Sequence, residues 1–282
     1  MRAVSRVAEL RATVREARAR GARVGFVPTM GFLHEGHLRL VDRARAEADV
    51  VVMSVFVNPL QFAPTDDLAR YPRDPEGDAA KAMARGVDVL FTPTAEEMYP
   101  GGRVVRVDAE KLGDRWEGAV RPGHFSGMLT VVAKLFNVVQ PDVAVFGQKD
   151  FQQAALVRAM VRDLDFPIEL VVAPTTREAD GLAMSSRNSY LSADERGRAL
   201  ALSRALGAAC SAFAAGEHRA SALEVLARAE LRDVEPDYFA LTDARTLEPV
   251  DVCDGGTVAM VAARVGRTRL IDNALLGRGV EG

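Results

Sequence analysis

The chain has 282 residues, of which 48% are hydrophobic and 27% are charged, and its formal net charge is −3. This composition is typical of a globular protein long enough for two domains, and it excludes a strongly basic protein built to attract nucleic acid. No run of about 18 uncharged apolar residues occurs, so we expect no transmembrane helix. The two cysteines lack metal-like spacing, which argues against a disulfide framework or a zinc site.

The first twenty residues are rich in arginine and lack the apolar run of a secretion signal. Apolar residues at Val4, Val7, Leu10 and Val14 predict an amphipathic helix in this segment. An Arg-rich targeting segment is the alternative interpretation. On this basis we expect a cytoplasmic protein.

Strand and helix patterns alternate through the first two-thirds of the chain. The β-branched run at Val50–Val57 is typical of a strand that is buried on both faces. In chain order, the predicted elements are strand Arg23–Thr29, helix Gly36–Ala48, strand Val50–Val57, helix Asp78–Arg85, strand Val87–Phe91, helix Phe125–Val139, strand Val143–Phe146, helix Asp150–Leu164 and strand Ile168–Val172. Such alternation predicts an α/β fold with a Rossmann-like, doubly wound parallel sheet.

The pattern changes after Pro174. Thr175–Arg196 is polar and is predicted to be a loop, and two helices follow at Glu195–Ala215 and Ala220–Arg232. Three short strands complete the chain, at Tyr238–Thr242, Thr257–Ala263 and Arg269–Asp272. The sequence therefore predicts two domains, 1–175 and 176–282, of which the second is a smaller α+β domain.

The segment Pro28–His37 follows a predicted strand and opens a predicted helix. Ligands of open α/β sheets bind at such crossings, and a helix N-terminus favours phosphate. His34 and His37 are three residues apart, so both can donate to one anionic ligand. The alternative is a pair of surface histidines beside a tight turn. The spacing does not fit the H-E-x-x-H of zinc proteases, and no Walker loop or G-x-G-x-x-G follows the first strand.

A second polar segment, Met184–Asn188, follows Glu178–Gly181 in the predicted loop. A loop that ends in hydroxyl groups and a guanidinium can close over a triphosphate, with Arg187 supplying a fixed positive charge. The alternative is an ordinary polar linker.

Two further polar groups follow predicted strands. Asn58 and Gln61 carry neutral amides that suit a small polar acid, although a solvated turn containing Pro59 explains them equally well. Gly147–Asp150 precedes a predicted helix and could contact a phosphate or a ribose. Alternatively, Asp150 is only the N-cap of that helix.

Together, the segments around His34 and Arg187 resemble the HIGH and KMSKS-like signatures of the nucleotidylyltransferase superfamily. Further stretches narrow the resemblance to the pantoate–β-alanine ligase family. The matching stretches occur in the family's order and are Val27–His37, Phe56–Phe62, Tyr71–Arg73, Arg121–Phe125, Phe146–Gln153 and Arg177–Asn188. The C-terminal third is similar in character, including Asp237–Leu241.

This resemblance implies an ATP-dependent ligase that condenses (R)-pantoate with β-alanine through a pantoyl-adenylate, releasing AMP and pyrophosphate. It implies ATP as a substrate, Mg²⁺ as a cofactor and a homodimer, without a nucleic-acid or membrane partner. Domain 1–175 would bind ATP and pantoate, and domain 176–282 would act as a lid. The alternatives are an adenylyltransferase that acts on another small metabolite and a non-catalytic nucleotide sensor or RNA-binding relative.

The resemblance also implies roles for individual residues. The catalytic residues would be His34, His37, Lys149 and Arg187. The ATP-binding residues would be Met30, Gly31, Phe32, Leu33, His34, Glu35, Gly36, His37, Gly147, Gln148, Lys149, Asp150, Thr176, Met184, Ser185, Ser186 and Arg187. At position 176 the family often has valine, so only a backbone contact is expected there.

Gln61 and Gln153 would bind pantoate, and Gln61 would also border the β-alanine site. Asp78 would contact Mg²⁺, through water or phosphates. The family resemblance places three further residues near the pocket: Asn58, Tyr71 and His124.

Overall fold

The computed structural model describes residues 1–62, 68, 71–102 and 104–280. The chain forms two compact units. The first unit comprises Met1–Phe146 and Leu156–Ala173, and the second comprises Gly147–Ala155 and Pro174–Gly282. Among the described residues, no helix has the length and apolar character needed to cross a membrane.

A six-stranded sheet forms the centre of the first unit. Its strands are β1 Arg2–Val4, β2 Val24–Thr29, β3 Val50–Val55, β4 Val89–Phe91, β5 Val143–Gly147 and β6 Glu169–Ala173. The strand order is β1-β4-β3-β2-β5-β6, and the pairs β1–β4, β4–β3, β3–β2 and β2–β5 are parallel. The order reverses at β2, which confirms the doubly wound α/β fold. In such sheets the ligand site lies beyond the carboxyl ends of the strands at the reversal.

Helices cover both faces of this sheet. They are α1 Val7–Ala19, α2 Glu35–Glu47, α3 Pro75–Ala84, α4 Ala95–Met98, α5 Glu110–Gly113, α6 Glu117–Val120, α7 His124–Val139 and α8 Phe151–Asp163. Phe26 and Val52 pack on one face with α1, α7 and part of α8, whereas Val27, Val51 and Met53 pack on the other with α2 and α3. Burial on both faces explains why β3 is an almost continuous apolar run.

The second unit contains a separate antiparallel sheet of order β7-β8-β9. Its strands are β7 Glu235–Asp243, β8 Thr257–Val265 and β9 Thr268–Leu275, and its helices are α9 Ala193–Ala199, α10 Ala201–Ala214 and α11 Ala220–Glu230. The helices and β8 share one apolar core that includes Leu202, Leu206 and Val261. The predicted smaller α+β architecture is confirmed.

The structure differs from the predicted elements in several places, which include the short unpredicted helices α4, α5 and α6 and the start of α3 at Pro75. The single helix expected over Glu195–Ala215 is two helices that meet at Leu200, and the first begins earlier because Ser192 and Glu195 form a reciprocal capping box. The N-terminal segment contains the unpredicted strand β1, in which Val4 pairs with Phe91. Three residues are too few to display the period of a strand.

Candidate active site

The segment between β2 and α2 turns through two left-handed residues, Gly31 with φ 83° and Phe32 with φ 51°. The side chain of Asp78 on α3 holds this turn. Its Oδ2 accepts a hydrogen bond from the Phe32 backbone N–H at 2.8 Å, and its Oδ1 accepts one from the Leu33 N–H at 2.6 Å. The ammonium of Lys81 donates to the Leu33 carbonyl oxygen at 3.0 Å. Helix α3 therefore fixes the backbone that enters α2.

Glycine is required at position 31 for steric as well as conformational reasons. A Cβ there would lie 2.8 Å from both Asp78 Oδ2 and Val55 Cγ1, too close for any real side chain. Asp78 is only 2% exposed. Both of its carboxylate oxygens accept hydrogen bonds from backbone N–H groups, so Asp78 holds the turn.

The two expected histidines lie at the start of α2, where the helix dipole is positive. The His34 backbone N–H donates to His37 Nδ1 at 3.3 Å, and the two ring centroids are 4.0 Å apart. Because Nδ1 accepts a hydrogen bond, the neutral His37 ring carries its proton on Nε2. Such an N–H is the kind of donor that stabilises charge on a phosphate oxygen.

The other polar residues of this segment have structural partners. The Glu35 carboxylate forms ion pairs with Arg39 at 3.1 Å and Arg85 at 2.6 Å. Hydrogen bonds from Arg85 to Asp42 and Glu35 raise the pKa of the Arg85 guanidinium. Any contact of Glu35 with a nucleotide would therefore have to come from its backbone, as for Gly36 beside it.

Gln61 ends a short 3-10 turn that begins after Asn58, and both side chains are buried. Asn58 Nδ2 donates to Gln61 Oε1 and to the Gly127 carbonyl oxygen, both at 3.1 Å. Gln61 Nε2 donates to the Met30 sulfur at 3.0 Å. The Tyr99 hydroxyl donates to Asn58 Oδ1 at 2.8 Å. This chain of bonds ties the end of β3 to the residue that follows β2.

Gly127 on α7 allows the turn to approach closely. A Cβ at this position would overlap the Leu60 carbonyl oxygen and would lie 2.7 Å from the Gln61 backbone nitrogen. The Gln61 carbonyl oxygen is 2.8 Å from His124 Nδ1, at the first residue of α7. The close approach of Gly127 and the contact with the His124 imidazole therefore fix the position of the Gln61 backbone.

Two other expected pocket residues lie near this network. The Tyr71 ring packs edge-on against Phe62, with ring centroids 5.8 Å apart. Arg121 Nη1 is 3.2 Å from His124 Nε2.

A cavity of about 300 Å³ adjoins Met30 and Asp78, and Val55, Phe56 and Leu90 are among its largely apolar lining residues.

In the second unit, the segment Gly147–Asp150 is held by Asn273 on β9. The Asn273 amide nitrogen donates to the carbonyl oxygens of Gln148 and Lys149, both at 2.9 Å. Lys149 Nζ lies 3.8 Å from Asp150 Oδ1. The Asp150 carbonyl oxygen accepts the first helical bond of α8, from Ala154 at 3.0 Å, so Asp150 occupies the N-cap position. Gln153 follows in the first turn of α8 and is half-buried.

The predicted polar loop of the second unit is an ordered turn. Arg177 and Ala183 form an isolated antiparallel bridge, and the Met184 N–H donates to the Thr176 carbonyl oxygen at 2.9 Å. Ser185 Oγ accepts a hydrogen bond from the Arg187 N–H at 3.2 Å and opens the 3-10 turn Ser186–Tyr190. Within the described part of the chain, no carboxylate forms an ion pair with the Arg187 guanidinium.

Ion pairs anchor that loop at its base, and the pair between Arg177 and Asp272 is buried. Arg177 forms a two-point pair with Asp272, at 2.7 and 3.0 Å, and their side chains are 11% and 2% exposed. Arg196 Nη2 bonds Glu178 at 2.6 Å and Asp180 at 2.7 Å. These hydrogen bonds raise the pKa of the Arg196 guanidinium.

Three residues that hold these segments were not singled out by the sequence: Tyr99 in the first unit, and Asp272 and Asn273 in the second. Tyr99 lies in no recognised motif. Asp272 and Asn273 are adjacent polar residues at the end of a predicted strand, and both are buried, at 4% and 2% exposure. Two consecutive buried polar residues break the usual alternation of a strand, and that irregularity is the signal that could have found them. Among the described residues, no group of three or more His, Cys, Asp and Glu side chains could hold a metal ion.

Comparison with known proteins gives one consistent family. The model of the family "Pantoate-beta-alanine ligase" matches residues 2–275. A pantothenate synthetase of Pelotomaculum thermopropionicum is 52% identical over 96% of this chain and 98% of its own length. One from Acidobacterium capsulatum is 54% identical over 98% of this chain and 97% of its own length.

Solved structures agree. The crystal structure of pantothenate synthetase from Thermus thermophilus is 52% identical, covers 98% of this chain and 99% of its own, and has a TM-score of 0.92. The pantoate-β-alanine ligase from Francisella tularensis, crystallised with β-γ ATP and β-alanine, is 31% identical over the whole of both chains, with a TM-score of 0.80. The predicted family is thus confirmed, and this chain belongs to the pantoate–β-alanine ligase family.

Proposed function

We propose that this protein joins pantoate to β-alanine at the expense of ATP, through a pantoyl-adenylate, and releases AMP and pyrophosphate. The observation that carries the proposal is the histidine pair at the N-terminus of α2, held beside the Asn58–Gln61 network by Asp78 and Met30 contacts. A phosphate-binding helix start next to buried amides suits a reaction between ATP and a small acid. Membership of the ligase family supports the same reaction.

In the first step, the pantoate carboxylate attacks the α-phosphorus of ATP. A new C–O–P linkage forms while the bond to the bridging oxygen breaks, and pyrophosphate leaves. The enzyme accelerates such a transfer by alignment and by stabilising charge on the phosphoryl oxygens. We assign that stabilisation to His34, His37, Lys149 and Arg187, with the His37 Nε2–H as one donor.

The remaining ATP contacts are proposed from three segments. Met30–Gly36 would bind through the turn that Asp78 fixes, and Gly147–Asp150 through the backbone that Asn273 fixes. Thr176 would contribute only a backbone contact, because the family often has valine at this position. Met184, Ser185 and Ser186 would join Arg187 around the phosphates.

Pantoate is assigned to Gln61 and Gln153, and β-alanine to the neighbourhood of Gln61. The Gln61 amide is pre-oriented by Asn58 and Met30, so it can hydrogen-bond a hydroxy acid without losing rotamer freedom on binding. In the second step the β-alanine amine attacks the acyl carbon, AMP leaves and the excess proton passes to solvent. Because water would destroy the adenylate, we propose that domain 176–282 acts as a lid during turnover.

We propose Mg²⁺ as the metal that accompanies ATP. Mg²⁺ keeps several waters and is usually bound through phosphates plus one or two carboxylates, where it neutralises phosphate charge. Asp78 fits an indirect contact through water, since its oxygens already accept hydrogen bonds from Phe32 and Leu33.

The test is isotope exchange between pyrophosphate and ATP. The proposed function requires exchange that depends on pantoate alone, and AMP release that requires pantoate and β-alanine together. Exchange with a phosphorylated metabolite but not with pantoate would instead identify an adenylyltransferase. Omitting Mg²⁺ should abolish both signals, and AMP release without any acid would contradict the proposal.

We also propose that the protein is a cytoplasmic homodimer, as the family resemblance implies. Light scattering coupled to gel filtration should give about twice the 30.4 kDa chain mass. A monomer mass at micromolar concentration would contradict the dimer, and fractionation of the source cells tests the location.

A further inference from the structure

We propose that Asn273 is a positioning residue for adenylate formation, which it supports by fixing the backbone of Lys149 from strand β9. The inference rests on the proposed function, in which Lys149 acts on the phosphates of ATP. It adds a residue that lies more than a hundred positions away in the sequence and belongs to none of the motifs described above.

The Asn273 side chain directs both its donor and its acceptor groups at this segment. Its Nδ2 donates to the carbonyl oxygens of Gln148 and Lys149, at 2.9 Å each, and its Oδ1 accepts from Gln148 Nε2 at 3.3 Å. Asn273 is 2% exposed and Gln148 is 8% exposed, so water does not replace these bonds easily. A carboxyamide is the group that suits this site, because two carbonyl oxygens need two donors and one amide needs an acceptor.

Asp272, the residue before Asn273, anchors the loop that leads to Arg187. Asp272 accepts two hydrogen bonds from Arg177, whose Nη1 also donates to the Gly181 carbonyl oxygen at 3.1 Å. Arg177 stands at the base of the turn that leads to Arg187. Two neighbouring residues of one strand thus hold Lys149 and the base of the Arg187 loop.

Strand β9 therefore supports the segments that carry two cationic groups, the Lys149 ammonium and the Arg187 guanidinium. Groups that stabilise a transition state must be held within about 0.5 Å of their productive position, usually by hydrogen bonds from a second layer of residues. Asn273 supplies such bonds directly to the backbone of Lys149. Its loss should displace the ammonium rather than remove it, and the effect should appear in the step that uses ATP.

The experiment compares Asn273→Ala with the unsubstituted enzyme in pantoate-dependent exchange of pyrophosphate into ATP, well below the unfolding temperature. We expect kcat/KM for ATP to fall about tenfold or more, since comparable outer-layer partners contribute roughly 10- to 100-fold in other sites. The KM for β-alanine should change less than twofold. Thr268→Val, a substitution of a buried polar residue on the same strand, should leave both parameters unchanged.

A double-substitution cycle separates positioning from a general loss of stability. In the Lys149→Ala background, adding Asn273→Ala should have little further effect on exchange, because the group being positioned is gone. Asn273→Ser, which keeps one donor, provides a milder variant if Asn273→Ala does not fold. Its kcat/KM for ATP should lie between the values of Asn273→Ala and of the unsubstituted enzyme.

Three results would overturn the inference. Folded Asn273 variants that exchange pyrophosphate like the unsubstituted enzyme would show that Lys149 needs no such support. An equal loss in the Lys149→Ala background would show that Asn273 acts elsewhere. Absence of pantoate-dependent exchange in the unsubstituted enzyme would overturn the proposed function and this inference together, and is thus distinguishable from the first two results.

Discussion

The carboxylate of Asp78 accepts a hydrogen bond from the backbone N–H of Leu33 at 2.6 Å, across 45 positions of the sequence. This contact joins helix α3 to the turn that presents His34 and His37. Substitutions of Asp78 should therefore affect the position of the two histidines.

Replacing Asp78 with alanine should loosen that turn. Two backbone N–H groups would lose their acceptor, at a cost of about 1–3 kcal/mol each when they stay buried. We expect a lower unfolding midpoint together with at least a tenfold loss of pyrophosphate exchange. Asp74→Asn is the matched control, because it removes a charge from the start of the same helix while asparagine can still cap Gly77. Unchanged exchange in folded Asp78→Ala would contradict the role of the turn.

Replacing His37 with alanine should lower adenylate formation by about 10²-fold or more, the usual effect of losing one charge-stabilising donor. Stability should change little, since His37 is only partly buried. Single-turnover release of pyrophosphate from ATP and pantoate, without β-alanine, measures the step directly. His218→Gln serves as the control, because His218 contacts the Cys253 carbonyl oxygen in the second unit. A normal rate in His37→Ala would exclude it as a catalytic donor.

Replacing Gln61 with alanine should raise the KM for pantoate about tenfold or more, because a pre-oriented amide would be lost and Asn58 would be left with an unpaired donor. The KM for ATP should be much less affected. Initial rates at varied pantoate and varied ATP separate the two. Asn137→Ala on the exposed side of α7 is the control. Equal increases in both KM values would contradict a specific role in acid binding.

Replacing Arg177 with methionine should destabilise the second unit by about 3–5 kcal/mol, because the buried Asp272 carboxylate would lose its partner. Denaturant unfolding followed by a probe in that unit measures the change. Arg219→Ala breaks the surface pair with Glu217 and should cost much less, because solvent screens that pair. Comparable losses in the two variants would show that burial does not strengthen the Arg177 pair.

The two free cysteines predict a dependence of stability on alkaline pH. Burial raises the pKa of the Cys210 thiol from 9.0 to about 11, although the charge of Arg177 opposes the shift, and burial also raises the pKa of Cys253. A raised folded-state pKa means that the thiol stabilises the fold fully below pH 9.0 and that this contribution is lost as pH rises toward 11.

The double variant Cys210→Ala, Cys253→Ala should therefore lose less stability between about pH 9 and 11 than the unsubstituted protein does. Urea unfolding at several pH values measures the difference, and other groups that titrate in this range cancel in the comparison. Parallel pH curves would show that the thiols ionise equally in both states.

Much of the fold follows from local patterns in the sequence. The β-branched run of β3 and the spacing of apolar residues in α7 indicate strands and helices without knowledge of their neighbours. The break at Leu200 could not be predicted, because the segments on both sides of it favour helix. Strand β1 was too short to carry a period.

The candidate site divides in the same way. His34 and His37 were identifiable because a glycine-containing turn and a helix start surround them in the sequence. The structural roles of Asp78 and Asn273 were not, since their partners lie 45 and 125 positions away. Hydrogen bonds between residues so far apart in the sequence depend on which elements become neighbours in the fold. The periodicity of the sequence does not show which elements those are.

The backbone contact at Gly127 bears on attempts to broaden the range of acids that the enzyme accepts. Position 127 has no side chain to shorten, and any addition collides with the peptide that carries Gln61. Engineering for bulkier hydroxy acids would have to start from trimmable side chains such as Met30, and libraries that randomise position 127 should return glycine almost alone.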